Sequence, residues 1–369
     1  MTRPAIALDT TIASLGNAGP AVYITNLTRA LQVRLRERLR PICTSFAARL
    51  GAARTVGDRA RTLARDLWWH QVGVTRAARR AGCALLHAPA GLGPVRSTFP
   101  VVVTIHDVAV LRFPEMFRPW HGGYARWVLP RLARRARAII TGSAATKADL
   151  VNLLGIPPER VTVTPYGPSA SSQQMAEGSS RGQDVRTRYA LPERFVLAVG
   201  TIEPRKNLER LIDAMGRVAE RSDARDAVLV HAGAPGWLSH QLPDRSRGNG
   251  RVRFLGYVSD DDLAVLYSLA RCCAYPSLWE GFGFPVLEAM ASGCPLLTSS
   301  VSSLPEVAGD AALLVEPTST EEIADGLARL WTDEALRAGL VQRGIERAKA
   351  FSWERTAAET VAVYDAVLS

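Results

Sequence analysis

The chain has 369 residues, too many for one small domain and suited to two of roughly 100–200 residues each. Hydrophobic residues make up 47% and charged residues 22%, a balance that excludes disordered, collagenous and coiled-coil chains. The formal net charge is +10 and is unevenly placed: residues 1–181 hold 25 Lys and Arg against 9 Asp and Glu, a net of +16, whereas residues 182–369 hold 20 against 26, a net of −6. The basic field of the first half suits a nucleic acid, an anionic membrane surface or an anionic small substrate.

Short β-rich apolar runs alternate with longer helical patterns along the whole chain. In the first half, strands are predicted at 5–9, 84–89, 101–107, 138–143 and 161–167, with helices at about 20–39, 57–81, 120–136 and 144–154. The second half repeats the pattern, with strands predicted at 195–200, 227–233, 252–258, 271–277, 294–300 and 311–316. Continuous apolar strands separated by helices imply parallel sheets covered on both faces. The fold class is therefore α/β, as two doubly wound, Rossmann-like domains facing across a cleft. Residues 169–190 are rich in Ser, Gln and Gly and read as a linker. The expected division is a first domain over 1–180, a second over 181–350 and a terminal helix over 351–369. No run of about 18 apolar residues is present, and the apolar stretch near the start is too short for a signal peptide. The five cysteines (Cys43, Cys83, Cys272, Cys273 and Cys294) form no C-x-x-C pair and read as reduced core residues of a cytoplasmic protein.

Basic and aromatic residues interleave in two stretches, 54–80 and 112–137, where Trp68, Trp69 and Trp127 lie among arginines. Such helices can lie in a membrane interface with Arg on phosphates, although each of these Trp taken singly reads as facing the core. No nucleic-acid-binding module accompanies the charge.

Chemistry-bearing residues follow four of the predicted strands. The strand at 195–200 runs into Thr201-Ile202-Glu203-Pro204-Arg205-Lys206-Asn207, and two adjacent cations at a strand-to-helix turn suit a phosphate or diphosphate. The strand at 271–277 runs into Leu278-Trp279-Glu280-Gly281-Phe282-Gly283-Phe284-Pro285-Val286-Leu287-Glu288. Its glycines permit a tight turn, a helix start near Gly283 offers N–H groups to an anion, and Glu280 and Glu288 can reach different parts of one ligand. The strand at 101–107 ends in His106-Asp107, and Gly16-Asn17-Ala18-Gly19-Pro20 follows the first strand. Asp260-Asp261-Asp262 has the D-x-D pattern but opens a helical run after Ser259, so it reads as helix capping and not as a metal site.

Glu203-Pro204-Arg205-Lys206-Asn207 together with the Glu280-x₇-Glu288 spacing resembles family 4 of the retaining glycosyltransferases, which have the GT-B fold, and the resemblance covers nearly the whole chain. Thr104-Ile105-His106-Asp107 and Arg112-Phe113-Pro114-Glu115 look like the amino-terminal domain of its mannosyl- and rhamnosyltransferases. Leu304-Pro305-Glu306-Val307-Ala308-Gly309-Asp310 is family-like, and Phe351-Ser352-Trp353-Glu354 looks like the start of the last helix, which crosses back to the first domain. The resemblance implies that Arg205 and Lys206 neutralise the departing donor diphosphate, Glu280 holds sugar hydroxyls, Glu288 binds the ribose and His106 contacts the donor sugar. The amides around Phe282, Gly283 and Phe284 would add to the phosphate site. One departure is clear: the family's Gly-x-Gly-Arg-Tyr loop appears here as Gly19-Pro20-Ala21-Val22-Tyr23, without the second Gly or the Arg.

The implied activity is transfer of a hexose (mannose, rhamnose or a related deoxyhexose) from a nucleotide diphosphate sugar to a glycan or lipid-linked acceptor. Neither a metal nor another cofactor is expected. The protein would be cytoplasmic, with an anionic membrane surface at the inner face as a candidate partner, and would not bind nucleic acid. The alternatives are a GT-B sugar-nucleotide epimerase or hydrolase and, in a different class, a basic nucleic-acid-binding protein.

Overall fold

The computed structural model describes residues 4–15, 19–44, 67–117, 119–169, 180–236 and 251–369. Gly16-Asn17-Ala18, residues 54–66 of the first basic stretch, Arg118 and residues 170–179 of the expected linker lie outside them, as do the side chains of Trp120 and Tyr124. The chain divides into two compact units, Met1–Gly167 with Ser352–Ser369, and Pro168–Phe351.

The first unit is built on a six-stranded parallel sheet in the order β2-β1-β3-β4-β5-β6. Its strands are β1 (Ala5–Asp9), β2 (Leu39–Ile42), β3 (Cys83–Ala88), β4 (Val101–Thr104), β5 (Ala138–Thr141) and β6 (Val161–Val163). Leu86 pairs with Val101 and Val103 with Ile139, so apolar residues stack across the sheet centre. β2 was not predicted, because Leu39-Arg40-Pro41-Ile42 has no apolar run. It sits at the sheet edge, where the missing N–H of Pro41 costs no ladder bond. β4 ends at Thr104, before His106, although the Ile105 amide still donates to the Ile140 carbonyl at 2.9 Å.

Helix boundaries in this unit follow local chemistry. Ser143 caps the helix Ala144–Leu154 by accepting from the Thr146 amide, and Gly155 ends it with φ 64°. The terminal helix Trp353–Leu368 belongs to this unit and starts at Ser352, whose side chain accepts from the Arg355 amide. It is tied down by Thr356 donating to the Pro165 carbonyl at 2.6 Å and by Tyr364 meeting His87 Nδ1 at 2.6 Å. A Cβ on Gly167 would lie 2.6 Å from the Trp353 nitrogen, so that approach requires glycine.

The second unit carries β7 (Val196–Val199), β8 (Leu229–Ala232), β9 (Val252–Gly256), β10 (Cys272–Tyr275), β11 (Leu296–Ser299) and β12 (Leu313–Val315). They form a parallel sheet in the order β12-β11-β10-β7-β8-β9. The core lies between this sheet and the helices Leu208–Glu220 and Thr320–Thr332, and includes Leu211, Met215, Leu327 and Trp331. The first of these helices buries Leu208, Leu211, Ala214, Met215 and Val218, a three- and four-residue spacing that places them on one face.

Several sequence expectations change. Residues 180–188, expected as linker, form the helix Ser180–Arg188, which pairs with the helix Asp260–Leu269 through Arg181–Asp261 at 3.2 Å and Arg188–Asp262 at 2.6 Å. Trp68 and Trp127 are exposed at 52% and 53%, not buried in the core; Trp69 does pack against it. Cys43 is exposed, whereas Cys83, Cys272, Cys273 and Cys294 are buried, and all five are free thiols. No helix among the described residues is long and apolar enough to cross a membrane.

Candidate active site

In the second sheet the chain runs outward from β7 through β8 to β9, then returns to start β10 on the other side of β7. The connections after β7 and β10 therefore leave in opposite directions and open a crevice at the carboxyl ends of these two strands, the usual ligand position in such sheets. The two predicted motifs occupy that crevice. Gly200-Thr201-Ile202-Glu203 and the turn Pro204–Lys206 follow β7, while Pro276 to Glu280 follow β10.

The turns interlock through their backbones. The Leu278 amide donates to the Arg205 carbonyl at 2.9 Å. Asn207, at φ 60°, donates from Nδ2 to the carbonyls of Pro276 and Pro317 at 2.9 and 2.7 Å. Asparagine tolerates this left-handed conformation better than most residues, which suits it to the junction between the turn and the helix Leu208–Glu220. Neighbouring glycines allow the loops to close: a Cβ on Gly233 would lie 1.9 Å from the Gly200 carbonyl oxygen, and one on Gly236 would lie 1.9 Å from that of Ile202.

This scaffold joins Arg205, Lys206 and Glu280 in one cluster. Arg205 Nη1 donates to Glu280 Oε2 at 2.5 Å and to the Trp279 carbonyl at 3.0 Å. Lys206 Nζ donates to Glu280 Oε1 at 2.7 Å and to the Tyr275 hydroxyl. That hydroxyl in turn donates to Glu280 Oε1 at 2.7 Å. Burial by itself would raise the Glu280 pKa, but the charges of Arg205 and Lys206 and the hydrogen bonds from Lys206 and Tyr275 outweigh it and hold the carboxyl at about 2. Desolvation, joined by the Arg205 charge, lowers the Lys206 pKa against the pull of Glu280. Arg205 also lies 3.7 Å from the half-buried Glu203 carboxylate, so the two cations are held between two carboxylates in a partly dehydrated site, where each interacts with an incoming anion more strongly than in water.

Tyr275 was missed by the sequence reading. It is the last residue of β10 and its ring reads as core, yet its hydroxyl bridges Lys206 and Glu280. Ser302 and Ser303 were also missed. Ser302 Oγ accepts from the Glu280 amide at 3.1 Å, and Ser303 Oγ donates to the Glu280 and Phe282 carbonyls at 2.9 Å each. They hold the turn that presents Glu280, and no charge pattern in the sequence marks them.

Phe282, Gly283 and Phe284 follow directly. Gly283 has φ 101° and is the N-cap of the helix Phe284–Ala291, which no side chain caps. A β-carbon there would approach Leu304 Cδ2 to 2.7 Å. Glu288 lies a turn into this helix, half-buried, and accepts from the Tyr267 hydroxyl at 3.3 Å. Burial raises its pKa to about 7, with the Asp260 charge adding to the rise and the Tyr267 bond opposing it.

Asp260, Asp261 and Asp262 occupy the first turn of their helix, as expected, but the capping side chain is Ser259, which accepts from the Asp262 amide at 3.2 Å. The described residues contain no group of His, Cys, Asp and Glu that could hold a metal ion.

His106 belongs to the first unit and lies just beyond β4. Its Nε2–H donates to the Pro89 carbonyl at 2.9 Å, while Nδ1 faces the Tyr166 hydroxyl at 3.0 Å. The carbonyl can only accept, so Nε2 carries the proton and the tyrosine donates to Nδ1. Burial lowers the pKa to about 4, so the ring is neutral near pH 7. Tyr23 meets it edge-on at 4.9 Å, and Tyr166 stacks on Trp353 at 6.3 Å. The tyrosine of the altered first loop is thus a buried core residue, its hydroxyl 3.1 Å from Thr104 Oγ1.

Two six-stranded, doubly wound units in one chain, the second with paired cations at its strand reversal, define the architecture of GT-B glycosyltransferases. The models "Glyco_transf_4: Glycosyltransferase Family 4" and "Glycos_transf_1: Glycosyl transferases group 1" match residues 18–169 and 184–347. The chain belongs to glycosyltransferase family 4. It is 34% identical over 267 residues to the O-antigen chain mannosyltransferase B of Escherichia coli, covering 71% of this chain and 69% of the relative. It is 34% identical over 262 residues to the serotype-specific mannosyltransferase WbdA of Escherichia coli, covering 69% of this chain but only 32% of the relative. The MMP alpha-(1->4)-mannosyltransferase of Mycolicibacterium hassiacum is 30% identical over 287 residues, covering 73% of this chain and 66% of the relative. Among solved structures, the sucrose-phosphate synthase from Thermosynechococcus elongatus superposes with a TM-score of 0.78 at 22% identity over 99% of both chains. Anabaena HepE in complex with UDP and glucose gives 0.72 at 17% identity over 98% of this chain and 100% of that one.

Proposed function

We propose that the protein transfers a hexose, with mannose the first candidate, from a nucleotide diphosphate sugar to a glycan or lipid-linked acceptor with retention of anomeric configuration. Rhamnose and related deoxyhexoses are the other donors of this kind. The observation that carries the reading is the Arg205–Lys206–Glu280 cluster at the strand reversal of the second sheet. The mannosyltransferase names of the relatives favour the sugar.

Glycosyl transfer proceeds through an oxocarbenium-like state while negative charge grows on the leaving diphosphate. Arg205 and Lys206 meet that charge directly. Their contacts to Glu280 hold them in place beforehand, so little reorganisation accompanies the reaction. Glu280, fixed as a carboxylate, accepts hydrogen bonds from sugar hydroxyls. Glu288 does the same for the ribose once deprotonated. The amides around Phe282, Gly283 and Phe284 extend the phosphate contacts. His106 meets the sugar as a neutral imidazole and must exchange Pro89 or Tyr166 for any hydrogen bond it makes. The paired cations do the work of a metal ion, so none is required.

Attachment to an anionic membrane surface fits the net +16 of residues 1–181 and would bring the enzyme to a lipid-linked acceptor. The test of the function is a nucleotide-sugar panel, with and without acceptor glycans, scored for release of product nucleotide. Acceptor-dependent release from GDP-mannose or a related donor is the expected result. Release that no acceptor increases would mark a hydrolase instead.

A further inference from the structure

The residues ahead of β4, β5 and β6 line an open pocket of about 540 Å³ in the first unit. Arg134, Arg135, Arg137 and Arg160 line it with Thr98 and Phe99, and no carboxylate is among its described lining residues. It lies at the amino ends of these strands, whereas His106 follows the carboxyl end of β4. Strands of three or four residues put roughly 10–13 Å between the two ends, so an occupant of the pocket does not compete with a ligand beside His106.

The pocket is a built feature. Arg160 Nη2 donates to the carbonyls of Ala133 and Arg134 at 3.1 and 3.2 Å, and to that of Ala136, closing the carboxyl end of the helix Pro119–Arg135. Arg79 Nη2 holds Thr98 Oγ1 at 2.8 Å. Arg134, Arg135 and Arg137 are exposed around this fixed base. Several guanidinium groups lining one pocket, with no carboxylate among its described lining residues, suit the oxygens of a phosphate group.

The helix leading to the pocket indicates where the phosphate comes from. It buries Val128, Leu129, Leu132 and Ala133, and its other face carries exposed Arg126, Trp127, Arg131, Arg134 and Arg135. The Arg131 guanidinium lies 4.3 Å over the Trp127 ring. An exposed Trp beside arginines on one helical face suits a lipid headgroup layer, with the ring at headgroup depth and the cations on phosphates.

We propose that the pocket is a binding site for the phosphodiester headgroup of an anionic lipid, and that it anchors the first unit to the membrane along the helix Pro119–Arg135. This rests on the peripheral attachment proposed above and assigns it to particular residues.

The test is co-sedimentation of the full chain with phosphatidylcholine vesicles with or without phosphatidylglycerol. Wild type should bind only the anionic vesicles. Arg134→Ala/Arg135→Ala/Arg137→Ala should weaken binding on the order of a hundredfold for three basic residues. Arg29→Ala/Arg34→Ala/Arg40→Ala, an equal charge change elsewhere on the unit, should weaken it far less. Arg135→Glu, one exposed change, should act in the same direction and serves if the pocket triple folds poorly. Equal weakening by the two triples, or none by the pocket variants, overturns the pocket and leaves membrane attachment standing. No wild-type binding to anionic vesicles overturns both. If inorganic phosphate then binds calorimetrically and the pocket triple abolishes that heat, the occupant is a soluble phosphate and the lipid assignment is wrong. Product-nucleotide release, measured in parallel, keeps any of these failures separate from failure of the transferase reading.

Discussion

Lys206 and Glu280 stand 74 positions apart in the chain, yet Nζ and Oε1 meet at 2.7 Å. The contact exists because β7 and β10 are sheet neighbours, pairing Val196 with Cys272 and Leu197 with Cys273, so their following loops emerge side by side. Four expected outcomes follow from this pair and its surroundings.

Arg205→Ala and Lys206→Ala should each lower kcat more than tenfold with the fold intact. Removing one preorganised contact to transition-state charge typically costs about 2.7–4 kcal/mol. Steady-state kinetics on the purified variants, with circular dichroism to check folding, decides it. Unchanged turnover in both would reject the diphosphate clamp.

Glu280→Gln should lose activity and also change the acid response of the fold. The native pKa of about 2 is below the ordinary value of 4.5, so the ionised carboxyl contributes stability that is present above about pH 4.5 and lost as pH falls toward 2. The variant should be less stable at pH 7, by about 3–5 kcal/mol for one broken partner of a buried charge cluster, and should lose less on acidification. Denaturant midpoints at pH 7 and pH 3 measure both effects. A wild-type loss between pH 7 and pH 3 no larger than that of the variant would show that Glu280 is not held by the cations.

Glu288 should make nucleotide binding pH-dependent. Its native pKa is about 7, raised from 4.5, so the folded state favours the protonated form and this group's contribution to stability falls as pH rises from about 4.5 through 7. A ribose hydroxyl donates best to the carboxylate, so product-nucleotide affinity should increase as pH passes 7, and Glu288→Gln should flatten that rise. Calorimetric Kd values from pH 6 to 8 test this, and an identical slope in the variant would remove Glu288 from the ribose site.

Activity should survive EDTA, because Arg205 and Lys206 neutralise the diphosphate and Asp262 is engaged by Arg188 and Tyr189. Loss of turnover on chelation, restored by Mg²⁺ or Mn²⁺, would overturn the metal-independent reading.

The sequence by itself determined what short-range physics decides. Apolar runs of four to six residues, interrupted by amphipathic helices, are best satisfied by parallel sheets with both faces covered, so the α/β class and eleven of the twelve strands among the described residues were legible. The helix at 144–154 was legible for the same local reason, and the structure gives it those bounds. Arg205, Lys206, Glu280, Glu288 and His106 stood out because charged or titratable groups directly after buried strands are costly unless something uses or pairs them.

Tertiary structure alone decided what depends on strand order and exposure. The order β12-β11-β10-β7-β8-β9 brings Arg205 and Lys206 to Glu280, recruits the Tyr275 hydroxyl and sets Ser302 and Ser303 beneath the Glu280 turn. Edge position made a strand of Leu39–Ile42 despite Pro41. Packing buried Tyr23 and left Trp68 and Trp127 in solvent. Residue type and spacing set a local preference, but which face of a helix meets the core, and which loops share an end of the sheet, depends on partners tens of residues away.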